Sequence, residues 1–448
     1  MTDTAPIPVT EKIAAFVAET RAADIPLEMY RHARVAFMDW LAVTLGGKDD
    51  PLVDKLIFFT DKLGGAPQAT IIGRGGMRKS VADAALINGA ASHALDYDDT
   101  LVSFLGHPSV TLFPALLALS EWREENGRDF LTAYLIGLQA GSVVGACASL
   151  DHYMAGWHAT STLGHIAAAA GCARLLGLGR QQTRYALGIG ATQSSGLKRV
   201  FGTMCKPFHA GRASQSGLMA AMLAADGFTS AEDILEGPQG FFQALKGTIN
   251  KDAVELMGYG WDVVNLSQKY HASCHATHSP LEAALAAVSE AGLTLDRIAG
   301  ITVHSSALAL GAAGKMDPKT GLEGKFSIPF CVANALVTGI TGDQAFTDER
   351  VHDPRIRELM KKITVTQDAG KAALEATVVV EDTGGGRAER FSDILQQIPP
   401  LELKETRVRQ KFLDLCEPVL GKDRAARAVE EIDNLEQLPS LKTFVEKF

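Results

Sequence analysis

Six polar residues that could carry acid–base chemistry, His93, Asp96, Asp98, Asp99, Thr100 and His107, fall within fifteen positions of the stretch 85–114. If residues 86–100 are helical, positions three and four apart share a face. That puts His93, Asp96, Asp99 and Thr100 on one stripe and turns Tyr97 and Asp98 away. Three carboxylates this close repel one another, so the pattern asks for a cation, a proton or a substrate group to answer them. One alternative is a plain acidic turn in water, where charged side chains usually stay. Another is a metal centre with His93, Asp96, Asp99 and His107 as ligands, which would make the protein a metal-dependent hydrolase.

Nine of the twelve histidines lie between His93 and His278, in four short blocks. In the second block, His158 and Thr160 open a Gly/Ala-rich helix, a place suited to meeting an anion; a His that merely caps the helix is the simpler reading. His165, further along an apolar face, reads as a core histidine. The third block, KRVFGTMCKPFHAGRA, sets Lys206 directly before Pro207, hence at the start of a helix. His209 and Arg212 follow three apart, so three basic groups gather at the positive end of a helix dipole. In a chain of net charge −9, that concentration points to a polyanionic ligand, with a solvated basic turn as the alternative. In the fourth block, KYHASCHATH, Cys274 and His278 are four apart and could pair on a helix as metal ligands, but no second pair completes a zinc set. Lys325 and Ser327 precede an apolar helix and either cap it or reach the same cleft.

The elements that must hold these blocks follow from composition and periodicity. A chain of 448 residues, 46% hydrophobic and 21% charged, has room for two domains. Scarce aromatics and abundant Ala and Gly favour closely packed helices, and Gly137, Gly141 and Gly145 form one such packing stripe. Helices are expected over 11–20, 25–45, 80–94, 112–122, 129–150, 160–176, 180–195, 207–225 and 231–236. Past residue 264 the pattern mixes strands (301–304 and 376–381, with a hairpin turn at Gly384-Gly385-Gly386) with helices at 279–291, 327–337 and 353–362. Residues 403–448 return to helix. The expected organisation is mainly α: a helical domain from 1–266 completed by 402–448, and a smaller α+β lid from 267–401.

An acidic chain without a basic face excludes nucleic acid as a partner. No apolar run reaches the length of a membrane span, no signal pattern is seen in MTDTAPIPVTEKIAAF, and six scattered cysteines suit a reducing cytoplasm.

The blocks NGAASHALDYDDT with GHPSVTLFPALLAL, GWHATSTLGHIAAAAGCARLLGL, GTMCKPFHAGRASQSGLMAAMLAADGFT, KYHASCHATHSPLEAAL and KFSIPFCVANAL together resemble the MmgE/PrpD family, over nearly the whole chain and in the family's order. That family holds 2-methylcitrate dehydratases, cis-aconitate decarboxylases and iminodisuccinate epimerases. The resemblance implies a helical domain from both chain ends, a smaller lid, a cleft between them and a homodimer. It implies Asp96, Thr100, His107, His158, Lys206 and Lys269 as cleft residues. One position departs from the decarboxylase pattern: Cys274, with His275 beside it, stands where those enzymes carry a histidine.

The reading that results is a cofactor-independent, metal-independent lyase acting on a small polycarboxylate, with 2-methylcitrate-type dehydration first. Epimerisation or decarboxylation of a related acid stands beside it. Lys206, Lys269 and Arg212 would neutralise carboxylates and the developing enolate. His107 and His158 would share the roles of base and acid, and Asp96 would orient one imidazole. Thr100, His209, Arg212, Cys274 and His275 would bind substrate.

Overall fold

Small residues at helical spacing let helices cross at short range, and the large part of this fold is built on such crossings. The computed structural model describes residues 7–448; the stretch weighed above for a signal begins outside the described residues. The fold is mainly α with a smaller α+β part. Its long helices run Leu27–Gly47, Val81–Ala94, Ser109–Arg123, Gly127–Met154, Ala159–Leu175, Arg180–Thr192 and Cys205–Ala225. The Val81–Ala94 and Cys205–Ala225 helices approach so closely that a Cβ on Gly211 would lie 2.2 Å from the Leu86 carbonyl oxygen. That crossing brings the helix bearing His93 against the helix bearing Lys206.

The Gly137, Gly141 and Gly145 stripe packs as expected, against Ala167, Gly171 and the Ser103–Phe104 backbone. It belongs to a helix, Gly127–Met154, that is long and apolar enough by length and composition to cross a bilayer, contrary to the expectation that no such run exists. In the fold it is a core helix, with 94% of its most apolar stretch buried inside the protein.

One hydrophobic core gathers residues from Val9 to Leu266 and again from Leu401 to Phe448. A second gathers Ala272 to Val380. The second is laid on a four-stranded sheet in the order Ile363–Gln367, Ile298–Ser305, Glu375–Asp382, Arg387–Asp393. The first pair is parallel and the others antiparallel. The Gly384–Gly386 turn joins the last two strands as the sequence indicates. The Ile363–Gln367 strand was not foreseen, because one short apolar–polar alternation after a helix carries little signal by itself.

Three local readings need correction. Residues 231–236 form turns rather than a helix, since a six-residue apolar–acidic run is too short to sustain one. Thr10 does not cap its helix; its hydroxyl donates to Glu236 Oε2 at 2.5 Å. The helix expected over 80–94 ends at Ala94, so the condition placed on residues 86–100, that they continue it, fails.

Candidate active site

That last difference reorganises the acidic block. Asp96 adopts a left-handed backbone (φ 51°), a conformation that aspartate tolerates better than most residues, and the chain leaves the helix there. The stripe of His93, Asp96, Asp99 and Thr100 therefore does not form. Each carboxylate faces its own partners instead. Asp96 Oδ1 accepts from Lys206 Nζ at 2.7 Å and Lys269 Nζ at 3.1 Å. Asp98, expected to point away, lies 2.9 Å from His93 Nδ1 and 2.9 Å from His107 Nδ1. Asp99 accepts from the Ser109 hydroxyl at 2.5 Å. Two ammonium groups answer Asp96 and two imidazoles lie on Asp98, while burial, with repulsion from Asp39 and Asp98, pushes the Asp99 carboxyl well up towards its protonated form.

The local chain fits this arrangement. Gly106 lets the loop press on the start of the Ala159–Leu175 helix, where a Cβ would meet Thr160 Oγ1 at 2.6 Å. The His107 amide donates to that hydroxyl at 3.1 Å. His158 sits at the N-cap position, but its side chain makes no capping bond; its Nδ1 lies 3.0 Å from His209 Nδ1. The His93 and His158 rings stack with centroids 6.1 Å apart. His165 is a satisfied core histidine, bonded to the Ser161 carbonyl at 2.7 Å.

From the other core, Lys269 Nζ also donates to the Asp96 carbonyl at 2.8 Å. Thr100 pairs backbone to backbone with Ser267, and its hydroxyl lies 2.6 Å from His275 Nδ1. Ser327 caps the Ile328–Thr338 helix, while Lys325 reaches across to the Leu95 carbonyl at 2.5 Å. The two roles left open for that pair are thus divided between them. Cys274 precedes a short 3-10 turn, His275–Thr277, so Cys274 and His278 do not share a helix, and His278 Nε2 instead faces the Ser273 carbonyl.

Arg212 does not join the cluster. It is exposed and its guanidinium bonds Gln215. Six positions on from Lys206, it is rotated about 240° around the helix. Residues the sequence reading left out of the site are also present: Asp98, Tyr153 on the cavity wall, and Lys411. Lys411 comes from the Leu401–Leu420 helix and donates to Asp39 at 2.7 Å, the Tyr97 carbonyl at 2.6 Å and the Lys269 carbonyl at 3.0 Å. The i, i+5 spacing of His93 and Asp98 was a usable signal once a break after Ala94 is allowed. Nothing in the sequence ties position 411 to position 97.

Electrostatically, the site holds its histidines neutral. Burial pushes His107 down to about 4, against the pull of Asp98. Burial, with Lys206 and His209 adding to it, holds His158 well below the usual range. His275 is lowered by burial and by Lys269. Burial alone would raise the Asp96 carboxyl, but Lys206, Lys269 and the nearby histidines reverse this and hold it ionised. Asp96 Oδ2, Asp99 Oδ1, His93 Nε2, His107 Nδ1 and His275 Nε2 are buried without a hydrogen-bond partner among the described residues, His107 Nδ1 despite lying 2.9 Å from Asp98, which is costly unless a ligand answers them. The His107 side chain is 12% exposed against 3% for Asp96. With Thr100, Tyr153, Cys274 and His275, it faces a cavity of about 140 Å³ between the two cores.

His93, Asp96, Asp98 and His107 place ligand atoms within 4.8 Å of one another. This is not the set expected for a metal, since Asp99 is turned to Ser109. Two ammonium groups already lie on Asp96 and would repel a divalent ion there. What would draw an organic anion here is the pair Lys206 and Lys269, not these four groups.

A buried lysine–histidine–carboxylate cleft between a helical and an α+β core defines the class, and the chain belongs to the MmgE/PrpD family. The MmgE/PrpD N-terminal domain matches residues 11–253 and the C-terminal domain residues 271–437. Its relatives include the cis-aconitate decarboxylase-like protein oryM of Aspergillus oryzae, 26% identical over 96% of this chain and 94% of that one. The cis-aconitate decarboxylases of Aspergillus terreus and Mus musculus are 26% and 25% identical, covering 95% and 96% of this chain and 92% and 91% of their own. The protein is a lyase-type enzyme of this family.

Proposed function

We propose that the protein is a cofactor-independent lyase that removes a proton beside a carboxylate of a small polycarboxylate, with 2-methylcitrate-type dehydration as the first reading. The observation that carries it is Asp96 held between Lys206 and Lys269, next to a neutral His107 at the wall of a cavity. Substrate carboxylates entering this space meet two ammonium groups, which also stabilise charge developing on the enolate.

His107 is the base. Asp98 beside its Nδ1 favours the tautomer with the proton on that nitrogen, and Nε2, 3.9 Å from Asp96 Oδ1, takes the proton from carbon. The electron pair left behind expels the hydroxyl, which leaves as water with a proton from His158, an imidazole that burial holds neutral and that takes up its proton as the substrate's carboxylates enter. His209 sets the orientation of His158. The α+β part acts as a lid whose closure excludes water and strengthens each ion pair. A homodimer in the cytoplasm completes this reading; sedimentation of the purified protein tests the dimer.

Decarboxylation is the second reading, favoured by the names of the relatives. Against it stands Cys274, in place of the histidine of the decarboxylase pattern. The deciding experiment incubates the purified enzyme with citrate, 2-methylcitrate, cis-aconitate and aspartate-derived diacids and reads products by mass spectrometry. Loss of water from 2-methylcitrate is the expected result. Loss of carbon dioxide from cis-aconitate alone would replace dehydration with decarboxylation, and solvent deuterium uptake without loss of either would replace both with epimerisation. Activity that vanishes on chelation, with stoichiometric bound metal, would sink the mechanism.

A further inference from the structure

The chain passes between the two cores twice, once from Leu266 to Ala272 and once from Val380 to Leu401. Both passages line one pocket of about 280 Å³, which shares no lining residue with the cavity that His107 faces. Gln268 and Tyr270 come from the first passage, Ile394 and Pro399 from the second. Lys269, between Gln268 and Tyr270, is fully buried and does not line the pocket; its ammonium reaches Asp96. One short segment therefore presents its lysine to the active site and the two flanking side chains to the pocket, the alternation that extended chain imposes.

The polar groups of this pocket do not answer one another. Gln268 is 5% exposed, and its Oε1 and the Tyr270 hydroxyl are buried without a hydrogen-bond partner among the described residues, a cost that a ligand removes. Burial pushes the Tyr270 phenol up to about 12, so it stays a donor. Arg407 holds its guanidinium 5.1 Å from the centre of the Tyr270 ring and has no ion-pair partner among the described residues. Glu282 gives Oε1 to His271 at 2.8 Å and leaves its other oxygen free to accept. An anion alone would suit Arg407 and be repelled by Glu282, and a cation alone would meet the reverse. We propose that this pocket binds a small zwitterion, an α-amino acid with an apolar side chain. Its carboxylate pairs with Arg407 and the Tyr270 hydroxyl, its ammonium with Glu282 and Gln268 Oε1, and its side chain lies on Ile394 and Pro399. At roughly 30 Å³ for each water-sized group, the volume of about 280 Å³ holds the roughly six to nine heavy atoms of alanine to leucine. Bound there, the amino acid ties the two passages together and braces the segment that carries Lys269, as an effector rather than a substrate. The inference goes beyond the lyase reading and stands whichever acid the enzyme transforms.

The test titrates the full-length enzyme with L-valine by ligand-observed NMR, with isovalerate and isobutylamine as its carboxylate and amine halves. Valine should saturate with a Kd at or below about 1 mM, and each half should bind at least about tenfold more weakly. Arg407→Ala and Glu282→Gln should each weaken valine about tenfold or more. Arg407 is exposed and the Glu282 side chain 44% exposed, so both variants should fold, which circular dichroism checks. Valine should also slow amide exchange over 267–271 about threefold or more, and citrate should not displace it. No saturation up to about 20 mM, isovalerate binding as tightly as valine, or wild-type affinity in either variant overturns the proposal. Displacement by citrate moves valine to the active site and overturns it as well. Binding that leaves exchange over 267–271 unchanged overturns the effector role.

Discussion

Asp98 Oδ2 lies 2.9 Å from His107 Nδ1, and this contact decides which edge of the imidazole is offered to substrate. The pair lacks hydrogen-bond alignment, but a carboxylate this close favours the tautomer with its proton on Nδ1, leaving Nε2 as the acceptor. Asp98→Asn keeps the shape but can donate where the carboxylate could only accept. We expect kcat to fall about 10²–10⁴-fold with the protein folded and KM nearly unchanged. A loss confined to KM, measured on the true substrate, would remove Asp98 from this role.

His158→Ala and Lys206→Ala should each remove most activity, about 10²-fold or more, without unfolding the protein. Circular dichroism with steady-state rates checks both. Near wild-type turnover in either variant would mean that the acid, or the carboxylate-binding lysine, lies elsewhere.

Acidification should weaken the fold well above the pH at which surface carboxylates titrate. Burial pushes His32, His107, His165 and His209 each down to about 4, while an unfolded histidine titrates near 6.5. Between these values the unfolded chain binds more protons than the folded one. Their contribution to stability is therefore complete above about 6.5 and is lost as pH falls towards 4. Urea midpoints should be level above pH 7 and decline steadily below 6.5. A midpoint unchanged down to pH 5 would contradict the neutral, buried state of these rings.

Lys411 and Asp39 form a buried pair, in which burial works against both charges and their contact works for them. Lys411→Met strands the Asp39 carboxylate and should cost about 3–5 kcal/mol. It also frees the Tyr97 and Lys269 carbonyls, so activity should fall further than the unfolded fraction explains. Adding Asp39→Leu should return much of the stability but not the activity. Recovery of both would make Lys411 a purely structural residue.

Much of this site could be read from the sequence because its residues come in short blocks. Lys206 before Pro207, His158 before an Ala-rich helix and Lys269 in its histidine block all reach the buried cluster around Asp96 and His93. The errors have a common cause. The stripe drawn through Thr100 needed helical spacing to run on past residue 94, where the expected helix ends, and no glycine or proline there shows which way the chain turns. The left-handed turn at Asp96 is stabilised by Lys206 and Lys269, more than a hundred positions away, which no local pattern contains. Arg212 was misplaced by the reverse error, since nearness in sequence on a helix says nothing of the opposite face. The Ile363–Gln367 strand exists because Ile298–Ser305 offers it an edge. The two cores were easier to anticipate, since a change from helical to alternating periodicity near residue 266 survives without knowledge of contacts.

Asp39 and Lys411 are 372 positions apart, and this separation has a consequence for how the enzyme comes into being. On the ribosome Asp39 emerges long before its partner is translated, and its carboxylate must keep its water until the Leu401–Leu420 helix docks. Until then the backbone carbonyls of Tyr97 and Lys269 lack the donor they share. Maturation therefore waits on a contact that closes almost the whole chain, the kind of long-range closure that slows folding most. A nascent chain with every cleft residue already synthesised still has no assembled cleft, so catalytic competence is acquired late and in one step.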